Sequence, residues 1–203
     1  MSWYDESVPD RTFAAKVVKI DRATEDISWS YQVYDDPTQN HQYPLVYWSG
    51  DSVLVYMGAW WQAPQAPLYK LTTDGVLQKT VYGNLLGIPL FSNGYMFSAS
   101  GGFTLVSCIR LDDLSVVWKA GDEQVASCNG QPALYKGVLY TPSQDAIYCY
   151  DAATGRFLGK DEEHWCSAFM NSSLSNTITY GDLFIVTNGE TVFAVHMNAE
   201  KYR

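Results

Sequence analysis

Three interleaved series of short apolar motifs recur about every 44 residues, a period suited to four-stranded propeller blades. Aromatic side chains make up 15% of the chain, including 15 Tyr and 7 Trp. No stretch carries apolar residues at i, i+3, i+4 and i+7 over three helical turns. These observations predict an all-β fold: a β-propeller of four-stranded antiparallel blades, with about four to five blades in the 203 residues.

The first series is a glycine turn followed by a strand. Gly50 leads SVLVYM, Gly94 leads YMFSAS, Gly137 leads VLYTPS and Gly181 leads LFIVTN, at intervals of 44, 43 and 44. The second is a strand ending in a polar turn: VVKIDRAT from Val17, LYKLTTDG from Leu68, CIRLDDLS from Cys108, IYCYDAATG from Ile147 and VFAVHMNA from Val192. Its reference positions are Asp21, Thr72, Asp112, Asp151 and His196, at intervals of 51, 40, 39 and 45. The third is a proline before the innermost strand, at Pro44, Pro89 and Pro132, where a missing N–H costs little.

Each unit then reads as strand, glycine turn, strand, loop, strand, polar turn, strand. The turn Asp151-Ala152-Ala153-Thr154-Gly155 supplies an Asp to bond its own backbone and a Gly for positive φ. Glu25 stands where this unit has Gly155, so the turn at 21–25 is expected to differ or to be strained. A β-sandwich also uses short strands, but nothing in it demands a repeat. The expected organisation is one domain over 1–203, with repeats at about 1–40, 41–86, 87–130, 131–172 and 173–203. There are five copies of the third-strand motif and four of the glycine-turn segment, so the first unit lacks inner strands downstream of Met1. Two readings stay open: part of a larger ring, or a small ring closed alone or by a second copy.

The unit GVLYTPSQDAIYCYDAATGRFLGK, from Gly137, resembles the PQQ-like β-propeller repeat of quinoprotein alcohol dehydrogenases and their non-catalytic relatives. The resemblance covers roughly residues 13–200. In that family a strand leads into Asp-x-x-Thr-Gly and then a Trp that docks between neighbouring blades. Here Asp21-Arg22-Ala23-Thr24-Glu25 leads to Trp29, and Asp112-Asp113-Leu114-Ser115 leads to Trp118, so Trp29 and Trp118 are the implied docking residues. Gln78 and Gly159 stand at the corresponding places of two other units. The family's catalytic members use a vicinal cysteine pair, a Trp stacked on the quinone and a calcium ion. This chain has no Cys-Cys pair and no Asp-x-Asp-x-Asp-Gly loop, so no catalytic residue is assigned and no cofactor is expected. PQQ and calcium enter only in the alternative reading, a fragment of a PQQ-dependent dehydrogenase.

Composition narrows the function classes further. Hydrophobic residues at 47% and charged residues at 17% describe a folded chain. The net charge of −9 argues against a nucleic-acid partner, which needs a cationic footprint. No apolar run approaches the roughly 18 residues of a membrane helix. The opening MSWYDESVPDRTF shows no signal-peptide pattern, and the compartment stays unassigned. Cys108, Cys128, Cys149 and Cys166 form no CxxC and read as free thiols. His196 occupies an Asp slot of the repeat and reads as a turn residue rather than a base. No GxSxG is present.

The candidate binding residues lie in the connections. Acidic clusters follow the last strand of a unit: Asp35 and Asp36, Asp122 and Glu123, then Asp161, Glu162 and Glu163, with Trp165 close behind. In a propeller such connections share one face, so the clusters would gather negative potential there and attract a basic protein partner. The long loop GAWWQAPQAP carries Trp60 and Trp61, an aromatic pair suited to a sugar, to a protein anchor or to packing on the neighbouring blade. The function expected is a non-catalytic scaffold for protein interaction or assembly, its partner a protein or a second copy. A carbohydrate-binding propeller is the other alternative.

Overall fold

The computed structural model describes residues 15–33, 41–59, 66–83, 88–99, 106–121, 131–143, 146–161, 177–187 and 192–202. Seventeen strands account for most of these residues, and the other element is a short 3-10 turn, Ala199–Tyr202. Every strand pair is antiparallel.

The chain divides into two compact units, Met1–Gly83 and Asn84–Arg203. In the first unit, β1 (Ala15–Ile20) pairs with β2 (Ile27–Val33). A four-stranded meander follows: β3 (His41–Ser49), β4 (Ser52–Ala59), β5 (Ala66–Thr72) and β6 (Leu77–Gly83). In the second unit, β7 (Leu90–Ser92), β8 (Tyr95–Ala99), β9 (Val106–Arg110) and β10 (Val116–Ala120) form one meander. Next come β11 (Ala133–Tyr135), β12 (Val138–Pro142), β13 (Ile147–Asp151) and β14 (Phe157–Asp161). The last sheet has three strands, β15 (Thr177–Tyr180), β16 (Leu183–Thr187) and β17 (Val192–His196).

The two main motif series map onto definite strands. The glycine-turn segments are the second strands β4, β8, β12 and β16, and the polar-turn motif supplies β1, β5, β9, β13 and β17. The hairpins Asn93-Gly94 and Lys136-Gly137 have both central residues at positive φ, the type I′ arrangement that matches strand twist. The second strands are unbroken apolar runs because both faces are covered: Val53, Leu54, Val55 and Tyr56 are all buried, as is every residue of β12. The fourth strands are wetter, and β10 keeps only Trp118 buried.

Packing between sheets can be read from β12 and β13. Leu139, Tyr148 and Tyr150 join Phe97, Val106, Cys108 and Trp118 of the preceding sheet in one core. Val138, Tyr140, Ile147 and Cys149 join Phe184 and Met197 of the following segment in another. One sheet thus buries both flat sides against its neighbours, as repeat architectures require. In the first unit, Val17 and Val33 pack with Val53, Val55, Tyr69 and Leu71.

Three expected positions shift. Pro44 lies inside β3, the edge strand of its sheet, whereas Pro89 and Pro132 precede their strands. Arg110, not Asp112, occupies the place of Asp151: Arg110 N–H donates to Ser115 O as Asp151 N–H donates to Arg156 O. Lys79, not Gln78, is the counterpart of Trp29, because the outer hairpins of both sheets shift register at the same place, pairing Trp29 with Lys19 and Lys79 with Lys70. Spacing alone missed the shift to Lys79 because that polar turn is shorter: Thr72 N–H reaches Val76 O, one residue nearer than in the other turns.

Candidate functional site

The polar turns are built first from local hydrogen bonds. Asp151 Oδ1 accepts from the backbone N–H of Ala153 and Thr154 and from the Thr154 hydroxyl at 2.8 Å. That hydroxyl holds the Asp151 carboxyl below the usual carboxylate range. Asp21 accepts from Ala23 and Thr24 in the same way. Where Arg110 replaces the aspartate, Asp113 takes over, accepting from the Ser115 N–H and from its hydroxyl at 2.6 Å, which lowers the Asp113 pKa.

Each of these turns also places one residue in the left-handed region: Glu25 at φ 61, Gly75 at 81, Leu114 at 55 and Gly155 at 74. The turn at Glu25 keeps the shape of the others, so of the two expectations for it strain is what the structure displays.

Two tryptophans use these turns identically. Trp29 lies on Gly75, whose added Cβ would stand 2.6 Å from the indole, and Trp29 Nε1 donates to Thr73 O at 2.8 Å. Trp118 lies on Gly155, again 2.6 Å from such a Cβ, and its Nε1 donates to Ala152 O at 3.0 Å. In each case the indole leaves the fourth strand of one sheet and covers the turn of the next. The glycine is needed twice over, for its φ and for the space its missing Cβ leaves. At Leu114 a side chain stands where two sister turns have glycine, and it is buried.

At Gly159 the relation is reversed. Gly159 occupies the Trp place of β14, pairing with Cys149 as Trp118 pairs with Cys108. Tyr202, from the 3-10 turn beyond β17, supplies the ring, with Cε1 3.2 Å from a Cβ built on Gly159. Tyr202 meets Tyr140 edge-on at 6.3 Å between centroids. A shallow pocket here is lined in part by Tyr140, Asp161, His196, Lys201 and Tyr202.

Of the acidic connection residues, Asp161 is described; it is half-buried at the end of β14. Asp35, Asp36, Trp60, Trp61, Asp122, Glu123, Glu162, Glu163 and Trp165 lie outside the described residues, as do Cys128, His164 and Cys166. His196 is exposed and its Nδ1 lies 3.1 Å from Asp182 Oδ2, a hydrogen bond that keeps the Asp182 carboxyl low. Cys108 and Cys149 are buried free thiols, pushed up to about 11 and about 12 by burial. They sit in separate sheets, and no group of three His, Cys, Asp or Glu side chains converges among the described residues.

Exposed apolar side chains, which the sequence reading passed over, stand on β1–β2, on β3 and on the last sheet. Val18, Ile20 and Ile27 are exposed on β1–β2, on the side opposite Val17. Val46 and Trp48 of β3 are exposed although their cross-strand partners Val55 and Val53 are buried. On the last sheet Ile178, Tyr180 and Val192 are exposed. Strand alternation is the signal that would have found some of them: both parities of β1, β16 and β17 carry apolar residues, as in a sheet made to be covered twice, while in β15 Ile178 and Tyr180 alternate with Thr177 and Thr179.

No family model and no curated protein matches the chain. Solved structures do. BamB from Moraxella catarrhalis matches with a TM-score of 0.59 at 16% identity, over 92% of this chain and 54% of that one. Hsv2p from Kluyveromyces lactis matches with a TM-score of 0.60 at 14% identity, over 94% of this chain and 60% of that one. The chain thus spans little more than half the length of the structures it matches. With its sheets, this likeness shows the fold expected from the repeats: all-β, built from the four-stranded antiparallel blades of a β-propeller. No helix among the described residues is long and apolar enough to cross a membrane.

Proposed function

We propose that this chain is a non-catalytic β-propeller scaffold that engages protein partners. The observation that carries the reading is the placement of large apolar side chains on exposed sheet faces: Val18, Ile20 and Ile27 on β1–β2 of the first unit, Ile178, Tyr180 and Val192 on the last sheet of the second. Rows of this kind mark interaction surfaces when they are contiguous and rimmed by polar groups. The acidic clusters add to it. They follow β2, β10 and β14, the fourth strands of three sheets, and would favour partners carrying positive charge.

Cross-linking mass spectrometry in native extract tests the reading, with dye reduction assayed in parallel after adding quinone, calcium and an alcohol. The scaffold reading expects reproducible cross-links to a defined set of proteins and no dye reduction. Reduction that depends on the added quinone would overturn it in favour of a dehydrogenase. Saturable binding on a glycan array, abolished by Trp60→Ala with Trp61→Ala, would overturn it in favour of a carbohydrate binder.

A further inference from the structure

We propose that the cavity beside Tyr202 is a binding site for one ordered water molecule, shared by the Tyr140 and Tyr202 hydroxyls at the joint between β11–β14 and the last sheet. Tyr140 stands on β12 and Tyr202 on the 3-10 turn after β17, so the two rings come from different segments. They are 4% and 9% exposed, in one core with Ile147, Phe184 and Met197. Neither hydroxyl has a hydrogen-bond partner among the described residues. The weakly polar Cys149 thiol neighbours the Tyr202 hydroxyl and does not satisfy it. Buried hydroxyls left in this condition cost stability, so two of them side by side point to a polar occupant.

The space and the chemistry select that occupant. The two rings meet edge-on, 6.3 Å between centroids, and both line the cavity. Its volume is about 20 Å³. A water needs roughly 10–15 Å³ and two to four polar partners, so one water fits and a sugar does not. Charge does not favour an ion. Asp161 and Lys201 line the same cavity with opposite signs. The Lys201 ammonium lies over the Tyr202 ring, 5.6 Å from its centroid, and His196 is bonded to Asp182. Each phenol can both donate and accept, and the occupant that serves two of them is one that does the same. Water does so, and a bridging water is enthalpically nearly as good as a direct hydrogen bond. It ties β12 to the turn that carries Tyr202, next to the contact of that ring with Gly159.

Tyr140→Phe and Tyr202→Phe test the site, because each keeps the ring and removes one oxygen. Urea denaturation of the full chain is read for both variants and for the double variant, and a crystal structure of the wild type is read for density. A water peak is expected within about 3.0 Å of both hydroxyl oxygens. Each substitution should lower the urea midpoint. The double variant should lower it by less than the two losses added, because both hydroxyls act through one water. Orphaned hydroxyls behave in the opposite way: removing them leaves the midpoint unchanged or raises it, and that result overturns the inference. So do two losses that simply add, or density in which another part of the chain or a larger molecule meets the hydroxyls. If a variant fails to fold, the density decides alone.

Discussion

Tyr202 covers Gly159 in the sense opposite to that in which Trp118 covers Gly155. In one case the ring leaves the fourth strand and meets the next sheet's turn; in the other it comes from the segment after the next sheet's third strand and meets the fourth strand. The two solutions fill the same kind of gap. Each pairs one glycine with one aromatic ring: a Cβ on Gly155 would stand 2.6 Å from the indole, and one on Gly159 a tight 3.2 Å from the Tyr202 ring. This complementarity, more than the aromatic alone, joins successive sheets.

The glycines should therefore be intolerant of the smallest side chain. Gly75→Ala and Gly155→Ala each place a Cβ against an indole at a positive φ, and should cost roughly 2–5 kcal/mol through strain and overpacking. Urea denaturation measures this. Gly94→Ala controls for φ alone, because a Cβ there meets nothing within 4 Å and its cost should be smaller.

Removing the ring tests the same joint from the other side. Trp118→Ala should destabilise by about 3–5 kcal/mol, the range for a large buried aromatic. Trp118→Phe should cost less, about 1–2 kcal/mol, chiefly for the lost hydrogen bond to Ala152 O. Equal losses for the two variants would mean that the ring does not pack there.

Glu25 supplies the converse. It is exposed and sits at φ 61, where its sister turns have Gly75 and Gly155. Relief of left-handed strain outweighs the added freedom of the unfolded chain, so Glu25→Gly should stabilise by about 0.5–1 kcal/mol. A rise in melting temperature is the expected readout.

The turn carboxylates impose a pH dependence. The Asp151 carboxyl is held low chiefly by the Thr154 hydroxyl. A carboxylate whose folded pKa lies below its unfolded value, about 3.9, stabilises the fold above that value. The contribution is lost as pH falls through the folded pKa. The stability gap between wild type and Asp151→Asn should be full at about pH 6 and shrink below about pH 4, as followed by denaturation at a series of pH values.

Burial makes the Cys108 and Cys149 thiols poor nucleophiles, with pKa values near 11 and 12. At pH 8 iodoacetamide should leave both unmodified in the folded chain and alkylate both in urea, as read by peptide mass spectrometry. Rapid alkylation of either under native conditions would contradict the packing of β9 and β13.

Much of the fold was legible because period and alternation are properties of the chain itself. The polar-turn motif marks all five third strands, including β1, which stands without inner strands among the described residues. What escaped depended on register. Arg110 could replace Asp151 only because Asp113 takes over its hydrogen bonds, and the shorter turn at Thr72 moved the docking place to Lys79. The reversed joint at Tyr202 lies outside any repeat, so no spacing points to it. The exposed face of β1 was legible in principle, since Val17 and Val18 put apolar side chains on both sides of the strand, whereas Ile178 and Tyr180 alternate with threonines and only register and burial show that their side is the open one.

A crystal structure of the chain tests the stacked-blade account most directly. The account predicts separate antiparallel sheets in sequence order, with the Trp29 indole over Gly75 and bonded to Thr73 O, and the Trp118 indole over Gly155 and bonded to Ala152 O. Density showing two large sheets facing each other across a single core, or either indole turned away from its glycine, would contradict it.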